Sequence, residues 1–170
     1  MLGSDRAIAK AMADGRLFKV DRGVYSDCEF VPFVEIAQKR YSESVITLDS
    51  AFFYHGLTDI IPDVLHIATD RCATRTADKR IIQHFVPAEI LHVGETKIVY
   101  NNSTIRTYDL ERLAIEVVRM RTKLPYELYK GVVLSLRSRT AEMYPAKISD
   151  YLDSFPYRDS VMSAIRTEIF

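Results

Sequence analysis

Five Arg and Lys side chains near the start of the chain are the clearest candidates for binding a ligand. Arg and Lys bind phosphate, and an Arg that makes two hydrogen bonds to guanine gains about 1–3 kcal/mol of discrimination. The first 25 residues hold five basic and three acidic residues, in a chain whose formal net charge is +0. This stretch therefore carries a modest local excess of positive charge. The candidate DNA-binding residues are Arg6, Lys10, Arg16, Lys19 and Arg22.

The first of these cations require a helix to position them. Ser4 can cap a helix over about 5–14, and Gly15 can end it. Ile8 and Met12 are four residues apart, which places them on one apolar face. Arg6 and Lys10 have the same spacing and point roughly the other way, so the helix pairs an apolar side with a cationic side.

The other three cations lie on a predicted hairpin. The stretch GRLFKVDRGVYS predicts two short strands around Asp21-Arg22-Gly23, and Gly23 suits a turn position with positive φ. A basic helix followed by a basic hairpin is the arrangement by which winged-helix proteins bind DNA. Residues at the start of such a helix reach base edges, and flanking cations hold phosphates.

In such a complex Arg6 would read guanine, Lys10 would reach phosphate or a base at the edge of the site, and the hairpin cations would face the backbone or the minor groove. Composition leaves a second interpretation open. In that interpretation the helix and hairpin have only a structural role, packing against the next domain, and their charges are solvated.

Acidic residues in the motif YDLER resemble a metal-binding pair. Asp109 and Glu111 stand two apart, however, and residues at that spacing on a helix do not face each other. Asp109 also stands where a helix cap is needed. We therefore interpret this motif as a helix cap rather than as a metal-binding site.

The histidines do not form a recognisable catalytic or metal-binding motif. The four residues His55, His66, His84 and His92 lack a spacing such as HExxH. His66 and His84 could pair on neighbouring strands, and two half-buried histidines in hydrogen bonds is the favoured interpretation. The chain also lacks a Gly-rich phosphate loop and a G-x-S-x-G elbow. We therefore expect no enzyme activity, no cofactor and no metal.

Length and composition limit the classes of protein to which this chain can belong. The chain has 170 residues, of which 48% are hydrophobic, enough for one packed domain with or without a small appendage. A net charge of +0 excludes a wholly basic nucleic-acid binder. Two isolated cysteines, no long apolar run and a polar N-terminus indicate a cytoplasmic protein that does not enter a membrane.

The order of predicted elements favours an α+β fold. Short strands are predicted at 44–48, 64–68 and 81–86, followed by a hairpin over 97–108 whose turn is Asn101-Asn102-Ser103. From Asp109 the apolar period becomes helical, with Leu110, Leu113, Val117 and Met120 forming one stripe. We predict a truncated winged-helix element over 1–27 and a mixed α/β domain with a C-terminal run of helices over 28–170.

Three segments resemble the AbiEi antitoxins, which belong to the type IV toxin–antitoxin systems of abortive infection. They are GRLFKVDRGVY, SVITLDSAFFYHGLTDIIP and TIRTYDLERLAIEVVRMR, in this order and spacing. The resemblance runs from about Leu2 to the C-terminus. No single motif is diagnostic, and the specificity comes from the ordered set.

The resemblance implies a bacterial cytoplasmic protein with an N-terminal winged helix that binds inverted repeats in its promoter and represses its operon. It implies a C-terminal domain that counters a nucleotidyltransferase-like toxin, without stable binding between the two. The DNA-contacting role carries over to the five cations of the helix and hairpin. The segments HGLTD and YDLER match the antitoxin domain and imply fold roles: a helix end leading into a turn, and a hairpin leading into a capped helix.

The chain departs from the family at its start. In the family one or two helices precede the recognition helix, whereas this chain begins at about the turn before it, so we expect an N-terminally shortened winged helix. Ile8 and Met12 would then be covered by the C-terminal domain or by another subunit, or the reading frame would have lost its start, or DNA binding would have been lost. The alternative function is a protein-interaction module without DNA binding, in which these residues and the terminal helix form a homodimer or heteromer interface.

Overall fold

A computed structural model describes residues 5–170, so the predicted cap Ser4 lies outside the described residues. The chain divides into two compact units, Met1–Ser42 and Glu43–Phe170. Helices and a mixed sheet occur together, which confirms the α+β class. The predicted division after residue 27 falls inside the first unit.

The first unit contains the predicted helix and hairpin. Helix α1 spans Asp5–Ala13, strands β1 and β2 span Phe18–Asp21 and Val24–Ser26, and helix α2 spans Phe33–Arg40. Gly15 and Gly23 have φ of 68° and 73°, so both occupy the left-handed conformation that ends the helix and forms the turn.

Helix α1 buries a different face from the predicted one. Ala11 is its buried residue, Ile8 is half-buried, and Met12 is 39% exposed. Ile8 and Ala11 are three residues apart and share the inner side, so one step further along the helix Met12 is turned toward solvent. The predicted pairing of Ile8 with Met12 on one packed face is therefore wrong.

Helix α2 is tied to the hairpin. The Nη2 of Arg40 donates to the carbonyl oxygen of Arg22 at 2.9 Å and lies 3.5 Å from Oδ1 of Asp21. These contacts join α2 to the β1–β2 turn, which is why the compact unit continues to Ser42 rather than ending near residue 27.

A five-stranded mixed sheet forms the first half of the second unit. Its members are β3 Val45–Ile46, β4 Leu65–Asp70, β5 Ile81–Val86, β6 Glu95–Tyr100 and β7 Ser103–Tyr108. The spatial order is β5-β4-β3-β7-β6, with β4 parallel to β5 and β3 parallel to β7. Helix α3, Leu48–Tyr54, follows β3, and a short helix α4, Ala88–Leu91, which the sequence pattern did not predict, precedes β6.

The β6–β7 hairpin forms through the predicted asparagine turn. Asn101 and Asn102 have φ of 46° and 67°, and Tyr100 pairs with Ser103 across them. Positive φ at both central residues is the type I′ geometry, which matches the twist of paired strands. Asn tolerates this conformation because its short polar side chain bonds locally.

Helices complete the second unit: α5 Leu110–Arg119, α6 Tyr126–Ser138, α7 Pro145–Leu152 and α8 Arg158–Glu168. Asp109 caps α5 as predicted, since its Oδ1 accepts from the backbone N–H of Arg112 at 2.9 Å. Every residue from Leu110 to Val118 is buried, and α3, α6, α7 and α8 all pack against α5. The helix is thus enclosed on all sides, not only along the predicted stripe.

Candidate functional site

All five sequence-predicted cations are exposed. Arg6 and Lys10 lie one turn apart on α1, Arg22 lies in the β1–β2 turn, and Lys19 lies on β1 directly opposite Tyr25. Partners that face each other across an antiparallel pair share one face of the ribbon, so Lys19 and the exposed ring of Tyr25 lie side by side. The first unit therefore presents one cationic pair on its helix and another on its hairpin.

Most of these cations are electrostatically uncommitted. Arg16 lies 2.7 Å from Oδ2 of Asp14, but both side chains are exposed, and such pairs contribute only about 0–1 kcal/mol. Within residues 5–170, the other four have no acidic group within ion-pair distance. They can meet phosphate without first breaking an internal bond.

Residues beyond the hairpin complete the charge of this unit, and sequence reasoning missed them. Lys39 and Arg40 add positive charge, while Asp27, Glu29 and Glu35 add negative charge. Residues 1–42 then hold seven basic and six acidic residues, so the predicted excess falls from +2 to +1. The net charge of this unit is therefore close to neutral, and the DNA-binding prediction depends on where its cations lie.

The carboxylates of YDLER converge on one cation, contrary to the expectation that they would not face each other. Lys147 Nζ lies 2.9 Å from Oδ2 of Asp109 and 3.4 Å from Oε2 of Glu111. Convergence occurs because Asp109 is the cap and lies outside the helix. Glu111 Oε1 also accepts from the backbone N–H of Tyr144 at 3.0 Å, so the pair binds the start of α7.

Electrostatics at this cluster follow from its geometry. Burial lowers the pKa of Lys147, but the hydrogen bond and the charges of Asp109 and Glu111 outweigh burial and raise that pKa. Burial and the hydrogen bond to Asp109 raise the pKa of Tyr151 to about 12. Both groups stay protonated near neutral pH, so the cluster is a fixed ionic connection between α5 and α7.

Arg112 of the same motif is fully buried, and sequence reasoning did not single it out. Its Nε and Nη2 donate to Oε1 of Glu116 at 3.0 and 2.8 Å, and its Nη1 donates to the Ile90 carbonyl at 2.9 Å. The guanidinium lies 4.5 Å from the ring centroid of Tyr108 and 4.4 Å from that of Phe155. The i,i+4 spacing of Arg112 and Glu116 was the available signal, but that spacing is also typical of a solvated helix face.

The segments HGLTD and YDLER are joined by a hydrogen bond. His55 Nε2 lies 2.8 Å from the carbonyl oxygen of Tyr108, and Arg139 Nη1 donates to the carbonyl of His55 at 2.8 Å. Gly56 has φ of 66° and follows the end of α3. The predicted fold roles, a helix end leading into a turn at HGLTD and a hairpin leading into a capped helix at YDLER, are confirmed.

His66 and His84 form the pair that the sequence allowed. They lie on the adjacent parallel strands β4 and β5, with His84 Nε2 3.3 Å from His66 Nδ1, and Asp49 Oδ1 lies 3.8 Å from the same Nδ1. One imidazole donates an N–H to the other, so the pair holds together only while at least one ring is neutral. Across the described part of the chain, no three His, Cys, Asp or Glu side chains are arranged to hold a metal ion.

Burial dominates the titration of this pair. It lowers the pKa of both rings, and in His84 the neighbouring His66 lowers the pKa further. Asp49 opposes the shift in both, Glu116 opposes it in His84, and Lys123 reinforces it there. Both rings are therefore neutral in the folded protein at neutral pH.

We expect the free energy of unfolding to fall as pH drops below about 6.5, the ordinary histidine pKa. In that range both histidines bind protons in the unfolded chain but stay neutral in the folded protein. Each ring therefore lowers the free energy of unfolding by up to about 1.4 kcal/mol per pH unit, until the pH reaches its folded pKa. Burial lowers the pKa of His55 as well, which adds to the loss. Urea unfolding between pH 7.5 and pH 5 measures the slope.

Two variants locate the origin of that slope. His84→Gln keeps a hydrogen-bonding partner for His66 and removes one titrating ring, so the slope should become shallower. His92→Gln, at an exposed side chain, should not reproduce that effect. An unchanged slope in His84→Gln would show that the pair is not responsible.

No model of a protein family matches the chain, and no curated protein is significantly similar to it. Among helices of residues 5–170, none has the length and apolar character needed to cross a bilayer. The likeness to AbiEi antitoxins therefore stays a prediction that rests on the residues of this chain.

Proposed function

We propose that this protein is a non-catalytic cytoplasmic antitoxin of the AbiEi type. Its first unit binds promoter DNA, and its second unit counters a nucleotidyltransferase-like toxin without a stable complex. The observation that carries the proposal is the set of exposed, uncommitted cations on a helix and on the hairpin that follows it. The ordered likeness of the three segments supplies the class of partner.

The geometry of the first unit supports contact with a duplex. Arg6 lies at the start of α1. Residues at the N-terminal end of a helix contact base edges when that helix lies in the major groove. Lys10, one turn on, suits a phosphate. Arg22 lies at the tip of the hairpin, and the bond from Arg40 to its carbonyl oxygen holds that tip in place. A positioned cation loses less entropy on binding than a mobile one.

The second unit supports a role exerted through its surface rather than through reacting groups. Side chains of YDLER bond inward: the Tyr108 hydroxyl donates to the Leu91 carbonyl at 2.7 Å, and Arg112 bonds to Glu116. The carboxylates of Asp109 and Glu111 are committed to Lys147. These groups build the fold, which agrees with a non-catalytic antitoxin.

Promoter DNA binding should fall when an uncommitted cation is removed. In fluorescence anisotropy with DNA from upstream of the gene, Arg6→Ala, Lys10→Ala, Lys19→Ala and Arg22→Ala should each weaken binding. Each lost phosphate contact should also reduce the slope of log K against log salt by about 0.9. Arg16→Ala should have a smaller effect because the nearby charge of Asp14 offsets part of the attraction between Arg16 and a phosphate. Lys130→Ala, an exposed cation on α6, is the matched control and should leave binding unchanged.

Failure of the wild-type chain to bind at low salt would remove repression from the proposal. The antitoxin role is tested separately by co-expression with a nucleotidyltransferase-like toxin of the class that the resemblance implies. Growth should recover, and the four Ala variants should still restore growth because their substitutions lie in the first unit. Continued growth arrest with wild-type protein would contradict the antitoxin role.

An interaction module is the second candidate, and the exposure of Met12 favours it. An apolar side chain that is 39% exposed on α1, next to buried Ala11, is available to a second copy of the chain. Size-exclusion chromatography with light scattering should then show a dimer that Met12→Glu converts to a monomer. A monomeric wild-type chain would remove this candidate.

A further inference from the structure

A cavity of about 320 Å³ lies in the second unit, at the end of the segment TIRTYDLERLAIEVVRMR, and the proposed function assigns no role to it. It is formed by the end of α5, the residues after it, and the start of α8. Val118 and Val161 supply apolar walls, and its polar side chains are Arg119, Arg121, Tyr157 and Ser160. Ligand sites are typically concave and mostly apolar, with a few convergent polar groups, and this volume lies at the lower end of their range.

Arg119 is the principal charge in this cavity. Its guanidinium lies 4.9 Å from the ring centroid of Phe155, which restricts its position. Within residues 5–170 the side chain of Arg119 makes no hydrogen bond and no ion pair. A planar cation whose donors are unused suits a phosphate or a carboxylate, which it binds through two parallel hydrogen bonds.

Arg121 adds a second positive charge that is only loosely held. Its Nη1 lies 3.7 Å from Oε1 of Glu168, and that carboxylate also accepts a hydrogen bond from the Tyr129 hydroxyl. Two other acids are nearby. Glu116, whose charge acts on Arg119, is hydrogen-bonded to Arg112, and Asp159 is almost fully exposed and lies 3.6 Å from Nη1 of Arg158. The two guanidinium groups of the cavity therefore lie near carboxylates that each have another partner, which leaves a net preference for an anion.

Tyr157 has a conformation that its packing does not explain. It has φ of 61° and ψ of 33° at the start of α8, and it is 83% exposed. A left-handed conformation costs a non-glycine residue about 1–2 kcal/mol, and Tyr157 makes no capping hydrogen bond in return. The result is a flat aromatic ring held in solvent beside the cavity, and such a ring stacks on nucleobases of any sequence.

We propose that this cavity binds a nucleoside phosphate, with the phosphate on Arg119 and Arg121 and the base on Tyr157. Ser160 supplies a hydroxyl that donates to a phosphate oxygen. The separation of a cationic part from an aromatic part matches the two halves of a nucleotide. This site is independent of the DNA-binding cations of the first unit, so either can be absent without the other.

Calorimetric titration of the full chain with AMP, GMP, CMP and UMP tests the proposal. At least one nucleotide should bind saturably, and its nucleoside and inorganic phosphate should each bind at least about tenfold more weakly, because each lacks one half of the ligand. Arg119→Gln should weaken nucleotide binding by at least about tenfold. Arg137→Gln, at an exposed arginine of α6, is the control and should leave it unchanged.

Tyr157→Gly separates a binding role from a structural one. Glycine adopts positive φ without strain, so this variant should melt at a higher temperature than wild type while its nucleotide affinity falls. No saturable binding of any nucleotide at millimolar concentration would overturn the proposal, as would equal binding by Arg119→Gln. Duplex DNA binding that needs Arg119, without mononucleotide binding, would also overturn it and assign the cavity to the DNA backbone.

Discussion

Replacing Arg112 with methionine should lower the free energy of unfolding by about 3–5 kcal/mol, because it leaves a buried charge without its partner. Arg112 is 0% exposed and donates twice to Oε1 of Glu116, which is itself buried. Methionine fills a similar volume without a charge. The carboxylate of Glu116 would then stay in the interior with its cation gone.

The same substitution removes donors from two backbone carbonyls. Arg112 Nη1 donates to the oxygens of Ile90 and Val93 at 2.9 and 3.3 Å, on the segment that joins α4 to β6. A buried acceptor left without a donor costs about 1–3 kcal/mol. Arg112 is thus the point at which α5 is bonded to that segment, and its loss weakens both.

A double-mutant cycle identifies the cause. Glu116→Leu combined with Arg112→Met should unfold less readily than Arg112→Met alone, because no unpaired charge then remains in the interior. Arg137→Met, at an exposed arginine of α6, is the control and should change stability by no more than about 0.5 kcal/mol. Equilibrium unfolding in urea is measured for wild type, Arg112→Met, Glu116→Leu, the double variant and the control. A loss below about 1 kcal/mol for Arg112→Met would contradict the buried-pair account.

Substituting Gly94 with alanine should cost about 2–5 kcal/mol, the sum of a backbone and a packing penalty. Gly94 has φ of 76°, and an added Cβ would lie 2.5 Å from Cβ of Arg112, 3.0 Å from Cε2 of Tyr151 and 3.1 Å from Oδ1 of Asp109. Its carbonyl oxygen accepts from the backbone N–H of Asp109 at 2.8 Å. The backbone before β6 therefore lies so close to the start of α5 that position 94 has no room for a side chain.

Gly56→Ala isolates the backbone part of that cost. Gly56 has φ of 66°, yet an added Cβ would meet no atom within 4 Å. The substitution should cost only about 1–2 kcal/mol. Thermal and urea unfolding of the two variants, measured side by side, give the crowding cost by difference. Equal losses at both positions would show that Gly94 is required only for its φ.

Short-range signals in the sequence identified the elements correctly where the deciding bonds are local. Gly15 and Gly23 mark the helix end and the hairpin turn, and Asn101-Asn102 forms the predicted turn. Asp109 caps the helix that its position predicted. In each case the energy is set by bonds and dihedral angles within about four residues, so the pattern is readable along the chain.

Burial was predicted less well because it depends on what packs on every side of an element. The apolar stripe of α5 predicted one buried face, but four helices enclose α5, so Glu111, Arg112 and Glu116 are inside with it. On α1 the residue predicted to pack, Met12, is exposed. A helical period reports which residues share a face and carries no information on how many neighbours the helix will have.

Of the two candidate sites, one was predictable from local sequence and the other depends on tertiary packing. The exposed cations of α1 and the hairpin were predictable, since charged residues at regular spacing on short elements seldom lie inside a protein. The cavity proposed to bind a nucleotide was not, because Arg119 and Tyr157 come together only when α8 packs on α5. The local order of residues thus sets where helices, turns and solvated charges lie along this chain. Packing between distant segments decides which charges become structural and where a cavity opens, because contact energies depend on neighbours that no local pattern specifies.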